Sequence, residues 1–263
     1  MSASPVEVTQ STERKKLFTF GTLVTRLDEY NEMVLSAKKA GFNRDDVEFL
    51  YIDNSKANEY DGFSGANKFI NAAEGKFLIY CHQDILFDFD RFEHLMAVIE
   101  ELDKVDPNWA IFGNAGKKAS GRSVVRITDP GESNLSSGNF PEKVMTIDEN
   151  FMVIKLSTNI SCTNGIQGFH LYGTDLCYNA SQLGYNAYVV DFHIRHKSAG
   201  NPDASYKKVE VELLHNYSLR KRAIVVQSMC SRFFVSSSTV LNKAINHKPI
   251  LNLHKSIKKK IYN

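Results

Sequence analysis

The sequence predicts an α/β fold in which a mostly parallel central sheet is flanked by helices. Three observations predict it. Residues 17–81 alternate strand, helix, strand, helix and strand patterns, the order that builds a right-handed βαβαβ unit. Lys76-Phe77-Leu78-Ile79-Tyr80-Cys81 is a short apolar run of the kind that forms a buried strand. That run exits into His82-Gln83-Asp84, which delivers a carboxylate to a strand's C-terminal end, where open α/β sheets bind ligands.

The elements follow in order. Residues 1–16 are polar, with no signal-peptide core, and read as a flexible leader. Leu17–Thr25 reads as the first strand, and Leu27, Tyr30, Val34 and Ala37 mark one face of a helix closed by Gly41. Val47–Ile52 is a second strand ending at Asp53-Asn54. Phe63, Ala66, Phe69, Ile70 and Ala73 share one face of a second helix, for which Gly75 is the expected C-terminal cap. After the buried third strand, Phe92, Leu95, Met96, Ile99 and Leu102 mark a longer helix stopped before Pro107, and Trp109–Phe112 is a further strand.

The interval 113–141 is rich in Gly, Ser and Asn and carries Lys117, Lys118, Arg122 and Arg126. It is too long for an inert connector, so an excursion over the site is expected. Val144–Ile147 leads to Asp148-Glu149, and Phe151–Ile154 is expected to return as its hairpin partner. Gly184-Tyr185 precedes a strand at Ala187–Val190, and from Tyr206 onward the pattern reads as mostly helical and increasingly basic. The expected organisation is a leader at 1–16, one domain over 17–205 and a helical basic extension over 206–263.

Composition excludes some classes. With 263 residues, 43% hydrophobic and 24% charged, the chain is an ordinary globular protein. No apolar run approaches the roughly 18 residues that span a bilayer. A formal charge of +2 gives no reason to expect a nucleic-acid partner. Cys81, Cys162, Cys177 and Cys230 form no Cys-x-x-Cys pair, so buried free thiols in a reducing compartment are expected, which places the chain in the cytoplasm. The C-terminus mixes Ile250, Leu251, Leu253, Ile257 and Ile261 with Lys255, Lys258, Lys259 and Lys260. A solvated tail is the plain reading; association with an anionic surface, at the inner face of the cell membrane, is the alternative.

Several residues carry chemistry. Asp53 ends a strand, as carboxylates that bond ribose hydroxyls do, and beside Asn54-Ser55 it also suits a turn. Asp84 follows the buried strand; Asp88 and Asp90 are better placed to cap the next helix, which leaves Asp84 for a divalent cation. Asp175 lies in the first turn of a helix, where it can stabilise the dipole or do chemistry beside His170 and Tyr172. His196 and Ser198 follow the strand after it.

Together these stretches resemble the GT-A fold glycosyltransferases, in particular the family-2-like group that builds bacterial surface polysaccharides. That group has a G-x-N-x-G-I-x-x-A-x-G helix before a strand ending in Asp-x-Asp; here Ser64-Gly65-Ala66-Asn67-Lys68-Phe69-Ile70-Asn71-Ala72-Ala73-Glu74-Gly75 precedes His82-Gln83-Asp84, with His82 at the first acidic position. Its F-H-x-Y-D-x-D-L-C stretch is similar to Phe169-His170-Leu171-Tyr172-Gly173-Thr174-Asp175-Leu176-Cys177, with Gly173 at the first acid, and its H-x-S-x-G to His196-Lys197-Ser198-Ala199-Gly200. The resemblance spans roughly residues 17–200.

The resemblance implies a Rossmann-like nucleotide-binding sheet and a metal-assisted, inverting transfer from a nucleotide-diphosphate sugar to a polysaccharide or lipid-linked glycan. It implies Asp175 as catalytic base with His170 as second choice, and Asp53, Asn54, Asn67, Asp84 and Ser198 on the donor. Asp148 and Tyr172 are implied on the acceptor, and Asp84 with His196 on Mn²⁺ or Mg²⁺, imidazole favouring Mn²⁺. Two rivals stand beside it. A sugar nucleotidylyltransferase shares the βαβ start, but needs a Gly-rich basic first loop where Gly21–Thr25 lies inside a strand. A non-catalytic nucleotide-sugar- or carbohydrate-binding protein would explain His82 and Gly173.

Overall fold

The computed structural model describes residues 14–131, 133–198, 204–220, 223–227, 229 and 231–247. Most of the leader, Gly200, Cys230 and the basic tail with Leu251 to Asn263 lie outside the described residues. The chain divides into two compact units, 1–210 and 211–263.

The first unit begins with the alternation expected. Strand β1 (Lys16–Val24), helix α1 (Leu27–Ala37), β2 (Val47–Asp53), α2 (Gly62–Ala72) and β3 (Gly75–Cys81) follow one another, and β1 pairs in parallel with both β2 and β3. A π-turn at Lys38–Phe42 ends α1, with Gly41 at φ 99°, a conformation that costs glycine little. Asp61 caps α2: its side chain accepts from the amides of Phe63 and Ser64, while Ser64 Oγ accepts from the Asp61 amide.

Gly75 is not the cap of α2. Ala73 ends that helix in an extended conformation, with φ −64° and ψ 131°, and Gly75 is the first residue of β3. A Cβ there would stand 2.6 Å from the Thr19 amide nitrogen. The glycine lets β3 close on β1, where its own N–H donates to Thr19 Oγ1 at 2.9 Å.

After β4 (Ile85–Leu86) come α3 (Phe92–Val105) and β5 (Trp109–Gly113). Strands β6 (Ala115–Lys117), β7 (Ser123–Asp129), β8 (Ser133–Ser137), β9 (Glu142–Val144) and β10 (Thr146–Ile147) occupy the Gly- and Ser-rich interval and its end. They are followed by β11 (Phe151–Lys155), α4 (Tyr172–Gln182), β12 (Asn186–Val189), β13 (Ile194–His196) and α5 (Ala204–Ser218), within which the boundary between the units falls.

The central sheet runs β2-β1-β3-β11-β5-β12-β9. Strand β11 is antiparallel to both β3 and β5, β12 is parallel to β5, and β9 is antiparallel to β12. All strands but β11 and β9 therefore point the same way. A mostly parallel sheet with its helices is the architecture that the resemblance to the GT-A fold implies. Phe151–Ile154 is not the hairpin partner of Val144–Ile147: its four residues are buried in the centre of the sheet, where an all-apolar strand hides both faces.

A second sheet, ordered β10-β6-β7-β13-β4 with β8 on β7, is built from the 113–147 interval and the short strands β4 and β13. The excursion is thus a sheet rather than a loop. Between the layers, Phe18, Phe20, Phe42, Phe92, Trp109, Phe151 and Phe192 form one apolar cluster. Cys81, Cys162 and Cys177 are buried free thiols.

The second unit contains the end of α5, an antiparallel hairpin of β14 (Ala223–Gln227) and β15 (Arg232–Ser236), and α6 (Thr239–Ile245). The hairpin departs from the helical reading. Ile224-Val225-Val226 and Phe233-Phe234-Val235 are β-branched or aromatic, which favours strands. Asn246 fastens α6 to β15 by accepting from the Phe234 amide and donating to its carbonyl, each at 2.7 Å.

Candidate functional site

The site forms where β3 leaves the sheet. His82 donates its amide to the Asn150 carbonyl at 3.0 Å, so the exit of β3 is tied to the turn before β11. Gln83 fixes the β1–α1 corner: Oε1 accepts the amides of Thr25 and Arg26 at 2.9 Å, and Nε2 donates to Thr25 Oγ1. Asp84 then turns inward. Strand β4 pairs with β13 in the register Ile85↔His196, which brings together two residues more than a hundred positions apart.

Three ligand-type side chains meet there. The ligand atoms of His82, Asp84 and His196 lie within 4.8 Å of one another. Asp84 Oδ1 is 3.6 Å from His196 Nε2 and 3.9 Å from His82 Nδ1, both longer than a hydrogen bond. Ser198 Oγ donates to Asp84 Oδ2, and the Lys197 amide donates to the Asp84 carbonyl at 3.0 Å. His82 Nε2 sits 3.2 Å from the Tyr172 hydroxyl, leaving Nδ1 to the cluster.

Electrostatics prepares this cluster for a cation. Burial opposes the charge of Asp84, but the hydrogen bond from Ser198 and the two nearby imidazoles outweigh it, so its pKa is lowered. Burial likewise works against a charged His196, yet Asp84 and the more distant Asp148 and Asp129 raise its pKa above the ordinary value. His196 Nε2 is buried and makes no hydrogen bond. An orphaned imidazole nitrogen facing a carboxylate and a second imidazole fits a divalent metal ion.

Two clefts open on the cluster. One, of about 290 Å³, is lined by Leu23, Thr25, Arg26, Asn54, Tyr80, Gln83, Asp84 and Tyr172. The other, of about 510 Å³, is lined by Ala115, Val125, Ile127, Asp129, Leu135, Asp148, Glu149, His170, His196 and Tyr206. His82, Phe169 and Ser198 line both. The second sheet supplies one wall of the larger cleft, so the excursion does reach the site.

The structure brings most of the expected residues together. Asp84, His196 and Ser198 form the cluster, Tyr172 and Asn54 line the smaller cleft, and Asp148 and His170 line the larger. Asn54 is also a structural clamp: it donates to the Tyr60 carbonyl at 2.7 Å and accepts from the Tyr60 amide.

Three of the expected residues stand apart from both clefts. Asp53 lines neither cleft; it is exposed, and Oδ1 accepts the Ser55 amide at 2.9 Å in the turn that ends β2. Asn67 lines neither cleft either. It holds both backbone groups of Cys162, with Nδ2 to the carbonyl at 3.0 Å and Oδ1 from the amide at 2.8 Å. Asp175 is fully buried, accepts from the Thr163 amide at 2.6 Å and the Thr163 hydroxyl at 2.7 Å, and lines neither cleft.

Sequence reasoning missed His82, Asp129 and Glu149. His82 carried a signal, its place two residues before Asp84. Glu149 carried none. Burial, and then the neighbouring charge of Asp148, raise its pKa to about 8, and its Oε1 accepts the Gly173 amide at 3.1 Å.

No family model matches the sequence. Among solved structures, the fold is similar to A197 from STIV, with a TM-score of 0.40, 12% identity and coverage of 71% of this chain and 97% of that one. It is also similar to residues 1–349 of S. aureus TarS in complex with UDP, with a TM-score of 0.45, 8% identity and coverage of 78% and 73%. Likenesses this distant leave the chemistry of the site to its own geometry. A relative from Fuscovulum blasticum, the ATP synthase subunits region ORF 6, is 31% identical over 223 residues, 82% of this chain and 90% of that protein. Identity at that level, over nearly the whole of both proteins, shows that this chain belongs to the family of the Fuscovulum blasticum ORF 6 protein.

Proposed function

We propose that the protein is a nucleotide-sugar-dependent glycosyltransferase of the GT-A kind, assisted by a divalent cation. The observation that carries the reading is the cluster of His82, Asp84 and the orphaned His196 Nε2 at the exit of β3, where two clefts share a wall. A diphosphate placed there would reach into both. The smaller cleft, beside the ends of β1 and β2, suits the nucleoside. The larger, with its carboxylates and apolar second-sheet wall, suits the sugar and an acceptor glycan.

His82, Asp84 and His196 would hold the ion, and two imidazoles favour Mn²⁺ over Mg²⁺. A bound cation would supply charge stabilisation for the departing diphosphate. Ser198 orients Asp84, Tyr172 orients His82, and Gln83 sets the corner that shapes the nucleoside cleft. Phe169 lines both clefts and offers an exposed apolar ring at their junction.

The test uses the full chain with a panel of UDP-, GDP- and dTDP-sugars, with Mn²⁺ and with chelator. The expected result is thermal stabilisation by one donor, about 2.7 kcal/mol at 100 times its dissociation constant, and Mn²⁺-dependent release of the nucleoside diphosphate. Binding without release under any acceptor would make the protein a nucleotide-sugar binder. No stabilisation by any donor would overturn the reading.

A further inference from the structure

Glu149 stands on the turn between β10 and β11, and that turn is held at both sides. Asp148 Oδ1 accepts the Asn150 amide at 3.0 Å, and the Asn150 carbonyl accepts the His82 amide. The turn is thereby locked to the metal-type cluster, and the Glu149 side chain is directed at the first turn of α4. There Oε1 takes the Gly173 amide.

Gly173 makes this approach possible. A Cβ at that position would stand 2.7 Å from the Ile147 carbonyl oxygen, 3.1 Å from Met152 Sδ and 3.3 Å from Glu149 Cγ. Any larger residue would push β10 and the Glu149 side chain off the helix. Glycine at 173 and glutamate at 149 are a matched pair, and together they set a carboxylate in the lining of the larger cleft.

We propose that Glu149 is the general base of this site, the group that takes the proton from the acceptor hydroxyl. The inference rests on the glycosyltransferase reading. The carboxylate removes the hydroxyl proton as the acceptor oxygen forms its bond to the anomeric carbon. The bond from that carbon to the diphosphate oxygen breaks, and its electron pair leaves with the nucleoside diphosphate. The proton then passes from Glu149 to solvent through the open cleft.

Two of its competitors are otherwise engaged. Asp175 is buried against Thr163. Asp148 Oδ1 is committed to both nitrogens of Asn150. A carboxyl with a pKa raised to about 8 is a far stronger base than an ordinary one, which suits a proton that leaves an alcohol only in the transition state. Asp148 on the same turn, Tyr172 and Cys177 on α4, Tyr80 on β3 and Cys162 surround it. Burial pushes both thiols and both phenols up, so none of these four ionises near pH 8. His82, His170, His196 and Asp129 face the same cleft.

The experiment measures nucleoside diphosphate release against pH for the unaltered chain and for Glu149→Gln, with donor binding followed separately. Glutamine keeps the shape and can still accept the Gly173 amide, but has no basicity. The unaltered protein is expected to gain activity with a rising limb centred near pH 8. In Glu149→Gln turnover should fall at least about a hundredfold, the limb should vanish, and donor affinity should stay unchanged. A limb that survives in Glu149→Gln belongs to another group of the cleft, His82, His170 or His196, and overturns the proposal, as does turnover within a few fold of the unaltered protein. Should the variant not fold, a flat profile between pH 6 and 9 in the unaltered chain overturns it equally. Product from the unaltered chain with an indifferent Glu149→Gln defeats the base alone; no product from the unaltered chain defeats the glycosyltransferase reading with it.

Discussion

Asp175 holds Thr163 by both its backbone amide and its hydroxyl, at 2.6 and 2.7 Å, and so ties α4 to the segment that precedes it. Asn179, one turn further along α4, joins the same group: Nδ2 lies 3.2 Å from Asp175 Oδ2 and donates to the Ser161 carbonyl at 2.7 Å. A buried carboxylate with this many donors is a structural fastening. It shapes the loop that carries Phe169 and His170 to the clefts without reaching them itself.

Asp175→Asn should therefore act on stability. Replacing one carboxyl oxygen by an amide nitrogen removes an acceptor from this buried group, a loss of about 1–3 kcal/mol. Urea unfolding should show the midpoint falling with an unchanged slope. Turnover at temperatures where the variant is folded should stay well short of the roughly hundredfold loss that removal of a base gives. A hundredfold loss at undiminished stability would return the base to Asp175.

The metal cluster makes a separate prediction. Asp84 is its only carboxylate, and Ser198 is the donor that orients it. Asp84→Asn should abolish calorimetric Mn²⁺ binding, and Ser198→Ala should weaken it by about 10–100-fold, as loss of a ligand's hydrogen-bonding partner does. Since His196 must be neutral to bind and Asp84 raises its pKa, protons should compete with the ion to a higher pH than for an ordinary imidazole. Mn²⁺ binding that is indifferent to both substitutions would remove the metal from this site.

Much of the fold was legible because its signals are local. The apolar stripe of Phe63, Ala66 and Phe69 and the buried run Phe77–Cys81 declare a helix and a strand without reference to anything distant. Strand β11 shows the limit. Phe151–Ile154 reads as a strand, but its partners are β3 and β5, and sequence neighbourhood suggested β10 instead. Register across a sheet is decided by which faces must be buried, and an all-apolar strand can enter anywhere that hides both.

The site was legible in the same uneven way. Asp84, His196 and Ser198 were found through the pattern around them. Asn67 has the same residue type a donor-binding group would have, yet its amide serves Cys162, 95 positions away. Glu149 was hidden because its placement depends on the absent side chain of Gly173 and on burial at a cleft, and neither is written in its own stretch of sequence.

That burial also predicts how stability depends on pH. The Glu149 carboxyl has a pKa of about 8 in the folded protein against an ordinary value near 4.5, so the folded state binds this proton more tightly than the unfolded chain. Below the unfolded value the carboxyl is protonated in both states and its contribution to folding is fully present. As pH rises from about 4.5 toward 8 the unfolded chain releases the proton first, and that contribution is progressively lost; above 8 both states are ionised and no further change comes from this group. Glu149→Gln carries no such proton. Measured by urea unfolding, the stability of the variant relative to the unaltered protein should thus climb between pH 5 and 8 and level off beyond, whatever the other titrating groups do to both curves. A difference that stays constant across that range would mean that Glu149 is an ordinary, solvated carboxylate, and the base would have to be sought at His170 or Asp148.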